Sequence, residues 1–297
     1  MTLPLRLDWM LPALQARLQP LLPGLQAQAV AETGSTNADL LAWPRTLGAP
    51  GSVLVPCLRV AEVQTAGRGR LGRSWDAAAG RSLTFSLGLP YAPRDWSGLS
   101  LAVGLAVATA LDPLAAPTDV PRLWLKWPND LMLRPAGAPA VAAGKLGGVL
   151  IETLPWGDQP RWTVIGIGLN LQAVDAAVAA DPAAPLPPWP RAALQALDPA
   201  LATDAPAVLA RVLPRLAQVL LDFVDPGFAA LHPAWSARDL LHGLPLVTTL
   251  PAWPDGVADG VDAQGCLWLR RGAARHALAS GEVSVRPAAV SAGLPPA

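Results

Sequence analysis

The spacing of hydrophobic and polar positions changes several times along the chain, and each change marks an element. LPALQARLQPLL has apolar residues at helical spacing and predicts one short amphipathic helix within residues 1–29. In AETGSTNADLLAW, Ser35 and Thr36 are N-cap candidates ahead of Asp39, Leu40, Leu41 and Trp43, which predicts a capped helix. SVLVPCLRVAEVQ and RSLTFSLGL read as strands, the second with alternating apolar positions, and the Gly/Arg stretch between them reads as a loop. Leu99 to Leu114 is predicted helical. RLWLKW is a strand that breaks at Pro128, and GGVLIE and WTVIGIGLNL are strands on either side of the turn-rich PWGDQP. The stretch from Ala173 to Pro206, crowded with Ala, Pro and Asp, predicts a long surface loop or a partly helical connection. Ala207 to Val224 returns to helical period through Leu209, Val212, Leu213, Leu216, Leu220 and Phe223, despite Pro214.

From about Asp239 to Arg286 the short runs LVTTL, GCLWLRR and EVSVR, separated by Gly, Pro and Asp, have the rhythm of a small antiparallel barrel. Several strands with few helices between them predict an α+β fold, with a larger domain over residues 1–236 and a small β-barrel domain over 237–290.

Composition narrows the class. Of the 297 residues, 52% are hydrophobic and 15% charged, which suits a compact core and excludes a disordered chain. The uncharged helical stretch from Leu99 to Leu111 is too short for the roughly 20 residues that cross a bilayer, so no membrane span is expected. No apolar segment followed by a small-residue cleavage site opens the chain, and a cytoplasmic location is expected. Cys57 and Cys266 lie far apart, which excludes a disulfide framework, and His232, His242 and His276 show no ligand spacing. Formal net charge is zero, so any cationic site must be local.

QTAGRGRLGRSW, Gln64 to Trp75, concentrates such charge. Gly67, Gly69 and Gly72 satisfy G-x-G-x-x-G, but they lead into DAAAG and a strand rather than into the apolar helix a dinucleotide fold requires. A phosphate-loop reading of Gly144 and Lys145 fails because Leu146 stands where Ser or Thr must hold magnesium. What remains is a glycine-rich loop in which Arg68, Arg70 and Arg73 can close over phosphate or carboxylate, or else a solvated basic loop. The chain has 20 arginines but only two lysines, Lys126 and Lys145. A compact ammonium and a planar guanidinium are not interchangeable, which makes Lys126 a functional candidate.

The neighbouring motifs are GSTN at 34–37, LKWPND at 125–130, GKLGGVLIE at 144–152 and VIGIGLN at 164–170. With QTAGRGRLGRSW they form an ordered set from Glu32 to Asn170 that resembles the biotin protein ligase family, also called biotin acetyl-CoA-carboxylase ligase. DGVDAQGCLWLRRGAARHALASGEVSVR looks like that family's small C-terminal barrel.

The resemblance implies a mixed β-sheet with flanking helices, similar to the catalytic fold of class II aminoacyl-tRNA synthetases. It implies activation of biotin by ATP to biotinyl-AMP and pyrophosphate, then transfer to a lysine of the biotin carboxyl carrier protein. Magnesium is the metal it implies, with its ligands left open. By resemblance, Lys126 reaches both the biotin carboxylate and the α-phosphate and, with Arg70, is catalytic. Ser35, Thr36, Asn37, Gln64, Arg68, Gly69, Arg70 and Lys126 form the biotin site; Gly67, Arg68, Arg70, Arg73, Lys126, Asn129, Asp130 and Asn170 form the ATP and adenylate site. The competing structural readings are that Ser35 or Thr36 is only a helix cap and Gln64 only a strand end, while Trp75 either walls the site or fills the core. Lys145 contacts phosphate or acceptor, or is an exposed lysine at a strand entrance, and Gly147 and Gly148 let backbone approach the ligand. The segment from Arg134 to Ala143 is longer than the family's usual turn. With 34 residues before Ser35, no winged-helix DNA-binding domain is expected, hence no repressor function. Homodimers through a sheet edge are common in the family and stay open here. The rivals are a lipoate or octanoate ligase or transferase, and a nucleic-acid-binding module built on the RGR loop.

Overall fold

The computed structural model describes residues 6–46, 53–75, 80–116, 118–173, 189–279 and 283–288. Its framework is a seven-stranded sheet built from β1 (Gln26–Thr33), β2 (Cys57–Gln64), β3 (Ser82–Tyr91), β4 (Leu123–Lys126), β5 (Asp130–Leu133), β6 (Gly144–Trp156) and β7 (Gln159–Asn170). The order is β1-β2-β3-β7-β6-β5-β4. Only β1 and β2 run parallel, and the other neighbours are antiparallel.

Alternation along β3 and β7 gives the sheet two different faces. Leu83, Phe85, Leu87 and Leu89 of β3, with Ile165, Ile167 and Leu169 of β7, belong to the main core. That core also takes in α1 (Leu11–Leu18), α3 (Leu99–Leu111) and α4 (Ala205–Phe223). α3 is apolar around its whole circumference and is buried accordingly. α4 is amphipathic, and the Asp204 carboxylate caps it by accepting the Ala207 N–H at 2.9 Å. On the opposite face lies α2 (Thr36–Thr46), whose Leu40 packs with Trp162 and Val164.

The expected strands and helices are present, with shifted ends: α3 stops at Leu111, short of Leu114. Of the connection anticipated over residues 173–206, positions 174–188 lie outside the described residues. Its described part holds short 3₁₀ turns at Leu194–Ala196 and Leu201–Thr203.

A second, five-stranded antiparallel sheet follows α5 (His232–Ser236), in the order β11-β10-β9-β8-β12. Its strands are β8 (Pro245–Thr248), β9 (Asp255–Val261), β10 (Leu267–Arg271), β11 (Ala274–Leu278) and β12 (Val285–Pro287). β9 and β11 were not among the strands anticipated, because DGVADGV and ARHAL offer too few apolar residues to alternate. The two sheets share one hydrophobic core. Their junction is backbone pairing of Leu125 with residues 238–240: the Leu125 N–H donates to the Arg238 carbonyl at 2.8 Å and the Leu240 N–H to the Leu125 carbonyl at 3.0 Å. Arg238 is buried there, its guanidinium donating to the Asp112 carboxylate at 3.0 Å and to the Leu123 carbonyl at 2.7 Å. Complete pairing of this kind is what a buried cation requires.

Candidate active site

One row of cross-strand partners crosses the seven-stranded sheet and floors a cleft. Lys126 pairs with Asp130, Asp130 with Gly148, Gly148 with Gly168, and Gly168 with Thr84. Partners in register share a face, so both charged groups stand on the same side as two glycines. The parallel row Leu150–Gly166–Ser86 runs beside it. The missing side chains make room for what packs above. A Cβ on Gly166 would overlap the Asn37 amide, and one on Gly168 would overlap the Trp75 indole. The cleft encloses about 920 Å³, solvent at its mouth included.

At one end, α2 brings Ser35, Thr36 and Asn37 down onto the sheet, all three buried. Ser35 caps the helix, its Oγ accepting the Ala38 N–H at 3.4 Å, and it also lines the cleft. The cap and ligand-site readings are therefore compatible. Gln64 Oε1 accepts the Thr36 N–H at 2.8 Å, and the Thr36 hydroxyl lies 3.1 Å from the same oxygen. Ser86 Oγ lies 2.7 Å from Thr36 Oγ1 and 2.6 Å from Asn37 Oδ1, while the Asn37 amide donates to Glu152 at 2.8 Å. A fully connected network of this kind fixes side-chain orientation before any ligand enters.

At the other end, Asp130 receives one lysine on each carboxylate oxygen. Lys126 Nζ lies 3.1 Å from Oδ2 and Lys145 Nζ lies 2.6 Å from Oδ1. Burial pushes the Asp130 carboxyl up, but the charges of Lys126 and Lys145 and their hydrogen bonds outweigh it and hold the pKa down at about 2. Lys126 is 7% exposed and also faces the Trp127 carbonyl at 3.4 Å; Lys145 is 35% exposed and sits 5.9 Å from the centre of the Trp75 ring.

The glycine/arginine stretch forms a compact lid at the cleft. Arg68 and Ser74 make an antiparallel bridge, the Trp75 N–H donates to the Gly67 carbonyl at 2.9 Å and the Gly69 N–H to the Arg73 carbonyl at 2.7 Å. Gly67 is required by closure itself, since a Cβ there would strike the Trp75 carbonyl. Arg68, Arg70 and Arg73 all line the cleft, and Arg73 donates to Ser284 Oγ at 3.3 Å. Burial lowers the pKa of Arg70, with Asp130 opposing and Arg73 adding to the shift. Among the described lining residues the cations are Arg68, Arg70, Arg73, Lys126 and Lys145, against the single carboxylate of Asp130. The zero net charge of the chain thus conceals a strongly cationic cleft.

Ser35, Thr36, Asn37, Gln64, Arg68, Gly69, Arg70, Arg73, Lys126, Asn129 and Asp130 all meet at this cleft, together with Trp75, Lys145 and Gly148. Gly67 closes the lid behind it. Asn129 is also tied to β6, its amide donating to the Val149 carbonyl at 2.7 Å. Asn170 stands behind the lining and donates to the carbonyls of Lys145 and Ala192 at 3.2 and 3.1 Å. Gly147 packs against the Gly168 carbonyl and Leu169, within the sheet rather than over the cleft. The sequence reading missed Ser86 and Glu152, which lie beneath Asn37, and Val283, Ser284 and Val285 of the C-terminal segment, which line the cleft. VIGIGLN carries the resemblance, but its glycines, Gly166 and Gly168, were given no role there, although two glycines at period two are the mark of a sheet face cleared for a close neighbour. Among the described residues no group of three His, Cys, Asp or Glu side chains is placed to hold a metal ion.

Residues 53–170 match the Biotin/lipoate A/B protein ligase family. The biotin–[acetyl-CoA-carboxylase] ligase of Mycobacterium tuberculosis is 35% identical over 266 residues, which is 87% of this chain and 88% of that protein. Its counterpart from Paracoccus denitrificans is 32% identical over 259 residues, 86% of this chain and 98% of that protein. The solved biotin protein ligase from Aquifex aeolicus in complex with biotin and ATP matches with a TM-score of 0.65 at 25% identity, covering 89% of this chain and 99% of that one. Likeness of this depth, spanning nearly all of both relatives and joined to a cleft in which the matching motifs converge, shows that the chain belongs to the biotin–[acetyl-CoA-carboxylase] ligases of the biotin/lipoate A/B protein ligase family.

Proposed function

We propose that this protein is an ATP-dependent biotin–protein ligase that converts biotin to biotinyl-5′-AMP and passes biotin to a lysine of the biotin carboxyl carrier protein of acetyl-CoA carboxylase. The observation that carries the reading is a single cleft with a preset polar network at one end, cations at the other and a cleared sheet face between. That arrangement suits a ligand with a polar ring, an apolar body and an anionic tail.

In the first step a biotin carboxylate oxygen attacks the α-phosphorus of ATP, the P–O bond to the β-phosphate breaks and pyrophosphate leaves. Two anions must meet, and negative charge accumulates on the phosphate oxygens, so fixed cations lower the barrier. The resemblance gives the direct contact with the carboxylate and α-phosphate to Lys126, but Lys126 is 7% exposed and held on Asp130, so this reading assigns that contact to the more exposed Lys145 and leaves Lys126 as a fixed cation in the cleft floor. Arg68 and Arg70 close over the adenylate from the lid and hold water away from the mixed anhydride. In the second step the carrier's neutral amine attacks the biotinyl carbonyl and AMP departs.

If magnesium accompanies ATP, it would supply neutralisation of phosphate charge, and Asp130, engaged by two ammonium groups, is the one carboxylate among the described lining residues that would face it. The unpaired cysteines Cys57 and Cys266 suit a reducing cytoplasm. Among the described residues no helix is long and apolar enough to cross a membrane.

The test is mass spectrometry of purified protein incubated with ATP and either biotin or lipoate. Biotinyl-AMP should form and lipoyl-AMP should not. Lys145→Ala and Lys126→Ala should each slow adenylation by about 100-fold. A protein that makes no biotinyl-AMP overturns the reading.

A further inference from the structure

β6 does not keep one alternation from end to end. Gly148, Leu150 and Glu152 share the cleft face, so an unbroken strand would put Leu146 on that face and Lys145 on the other. The register with β5 shows what intervenes: Leu131 pairs with Gly147 but Met132 pairs with Lys145, so Leu146 is the extra residue of a β-bulge. The bulge inverts the alternation. Leu146 turns into the core, fully buried, and Lys145 comes to the cleft side to meet Asp130. Without it the lysine would sit on the wrong face of the sheet.

A bulge disrupts the ladder, and the main chain of Lys145 is held by other groups. Its N–H donates to the Pro190 carbonyl at 2.7 Å, and its carbonyl accepts the Ala192 N–H at 2.9 Å and the Asn170 amide at 3.2 Å. Asn170 also donates to the Ala192 carbonyl at 3.1 Å, which ties the segment Pro190–Ala192 to the same point. Gly144 admits that segment, since a Cβ there would lie 2.8 Å from the Ala192 Cβ.

We propose that Asn170 and the segment Pro190–Ala192 form a clamp that holds the bulge at Leu146 and thereby positions the Lys145 ammonium against the α-phosphate. Asn170 is then a positioning residue acting through Lys145. The proposal rests on the adenylate-forming reading.

A double-mutant cycle on biotinyl-AMP formation tests it, using wild type, Asn170→Ala, Lys145→Ala and the double variant. A misplacement on the scale of 1 Å costs up to about 100-fold in rate, so Asn170→Ala should be slowed roughly 10- to 100-fold with equilibrium biotin binding unchanged. In the Lys145→Ala background the same change should add less than about 2-fold, because the group it positions is gone. Gly144→Ala, which displaces the clamp without touching Asn170, should show the same dependence on Lys145. If losses at 170 and 145 multiply, Asn170 acts independently of Lys145 and the clamp is overturned. An inactive wild type instead overturns the adenylation reading, and the proposal with it.

Discussion

Lys145 Nζ lies 2.6 Å from Asp130 Oδ1, although the two residues come from adjacent antiparallel strands and neither is the other's register partner. With Lys126 on the second oxygen, the carboxylate separates two ammonium groups that would otherwise face each other. Asp130→Asn removes the one carboxylate among the described residues that line the cleft. Taking one member out of a buried ion cluster costs about 3–5 kcal/mol, so the variant should unfold at distinctly lower denaturant and lose adenylation. The folded carboxyl has its pKa lowered to about 2 from 3.8, so its contribution is complete above pH ~4 and lost as pH falls through 2. Equilibrium denaturation between pH 8 and pH 2 should show the wild type converging on the variant only below pH 4.

Asp239 behaves in the opposite sense. Burial pushes its carboxyl up to about 6, against the Leu241 N–H at 2.9 Å and the charge and backbone of His242. A carboxyl that holds its proton more tightly when folded favours the fold below pH ~4, and that contribution is lost as pH rises through 6. Asp239→Asn keeps an acceptor for Leu241 and cannot ionise. The variant should therefore be more stable than wild type at pH 8, by roughly 2–3 kcal/mol on a shift of about two pH units, with the advantage gone at pH 4. Equal wild-type and variant stabilities at pH 8 would refute this account of Asp239.

The fold was legible wherever one side of an element is consistently apolar. RSLTFSLGL and Leu99 to Leu111 announce themselves because every second residue, or every residue, must leave water. DGVADGV did not, because β9 is stabilised by pairing with β8 and β10 rather than by its own pattern. At the cleft, the scarcity of lysine singled out Lys126 and the Gly/Arg run singled out the loop, but Lys145 was left open between a ligand contact and an exposed lysine, because its side of the sheet is not written in its neighbours. GKLGG fits either alternation, since glycines carry no facing preference, and the choice is made by a bulge and by residues 190–192, far along the chain. Val283–Val285 were illegible as cleft residues for the same reason: only tertiary packing brings the C-terminal segment there.

Two glycines allow the ends of the cleft to be separated experimentally. Gly166→Ala puts a methyl against the Asn37 amide, and Gly168→Ala puts one against the Trp75 ring. Overpacking of this kind costs about 1–3 kcal/mol. If the α2 end holds biotin, Gly166→Ala should weaken biotin binding roughly 10- to 100-fold in calorimetric titration without ATP. Gly168→Ala should leave that titration nearly unchanged and raise the ATP concentration needed for adenylation. The reverse pattern would exchange the ends.

Trp127 links the catalytic sheet to the C-terminal sheet. Its indole is fully buried and its N–H donates to the Gly265 carbonyl at 3.0 Å, in the turn that the Asp262 carboxylate organises by accepting the Gln264 and Cys266 N–H groups at 3.0 and 2.9 Å. That turn lies against Gly98 at the start of α3, so closely that a Cβ on Gly265 would come within 2.7 Å of the Gly98 Cα. Trp127→Phe keeps an aromatic ring but leaves the Gly265 carbonyl without its donor and opens space beside it. An unsatisfied buried acceptor costs about 1–3 kcal/mol, and the lost ring volume adds to that. Trp127 directly precedes Pro128, Asn129 and Asp130, which line the cleft, and the C-terminal segment supplies Val283–Val285 to the same wall. Loosening the link should therefore raise the ATP requirement of adenylation as well as lower the unfolding midpoint. Gly265→Ala, strained at φ +80° and crowded against Gly98, should reproduce both effects from the other side of the contact. If either variant lost stability while adenylation kinetics stayed at wild-type values, the C-terminal sheet would be a structural support with no part in shaping the cleft.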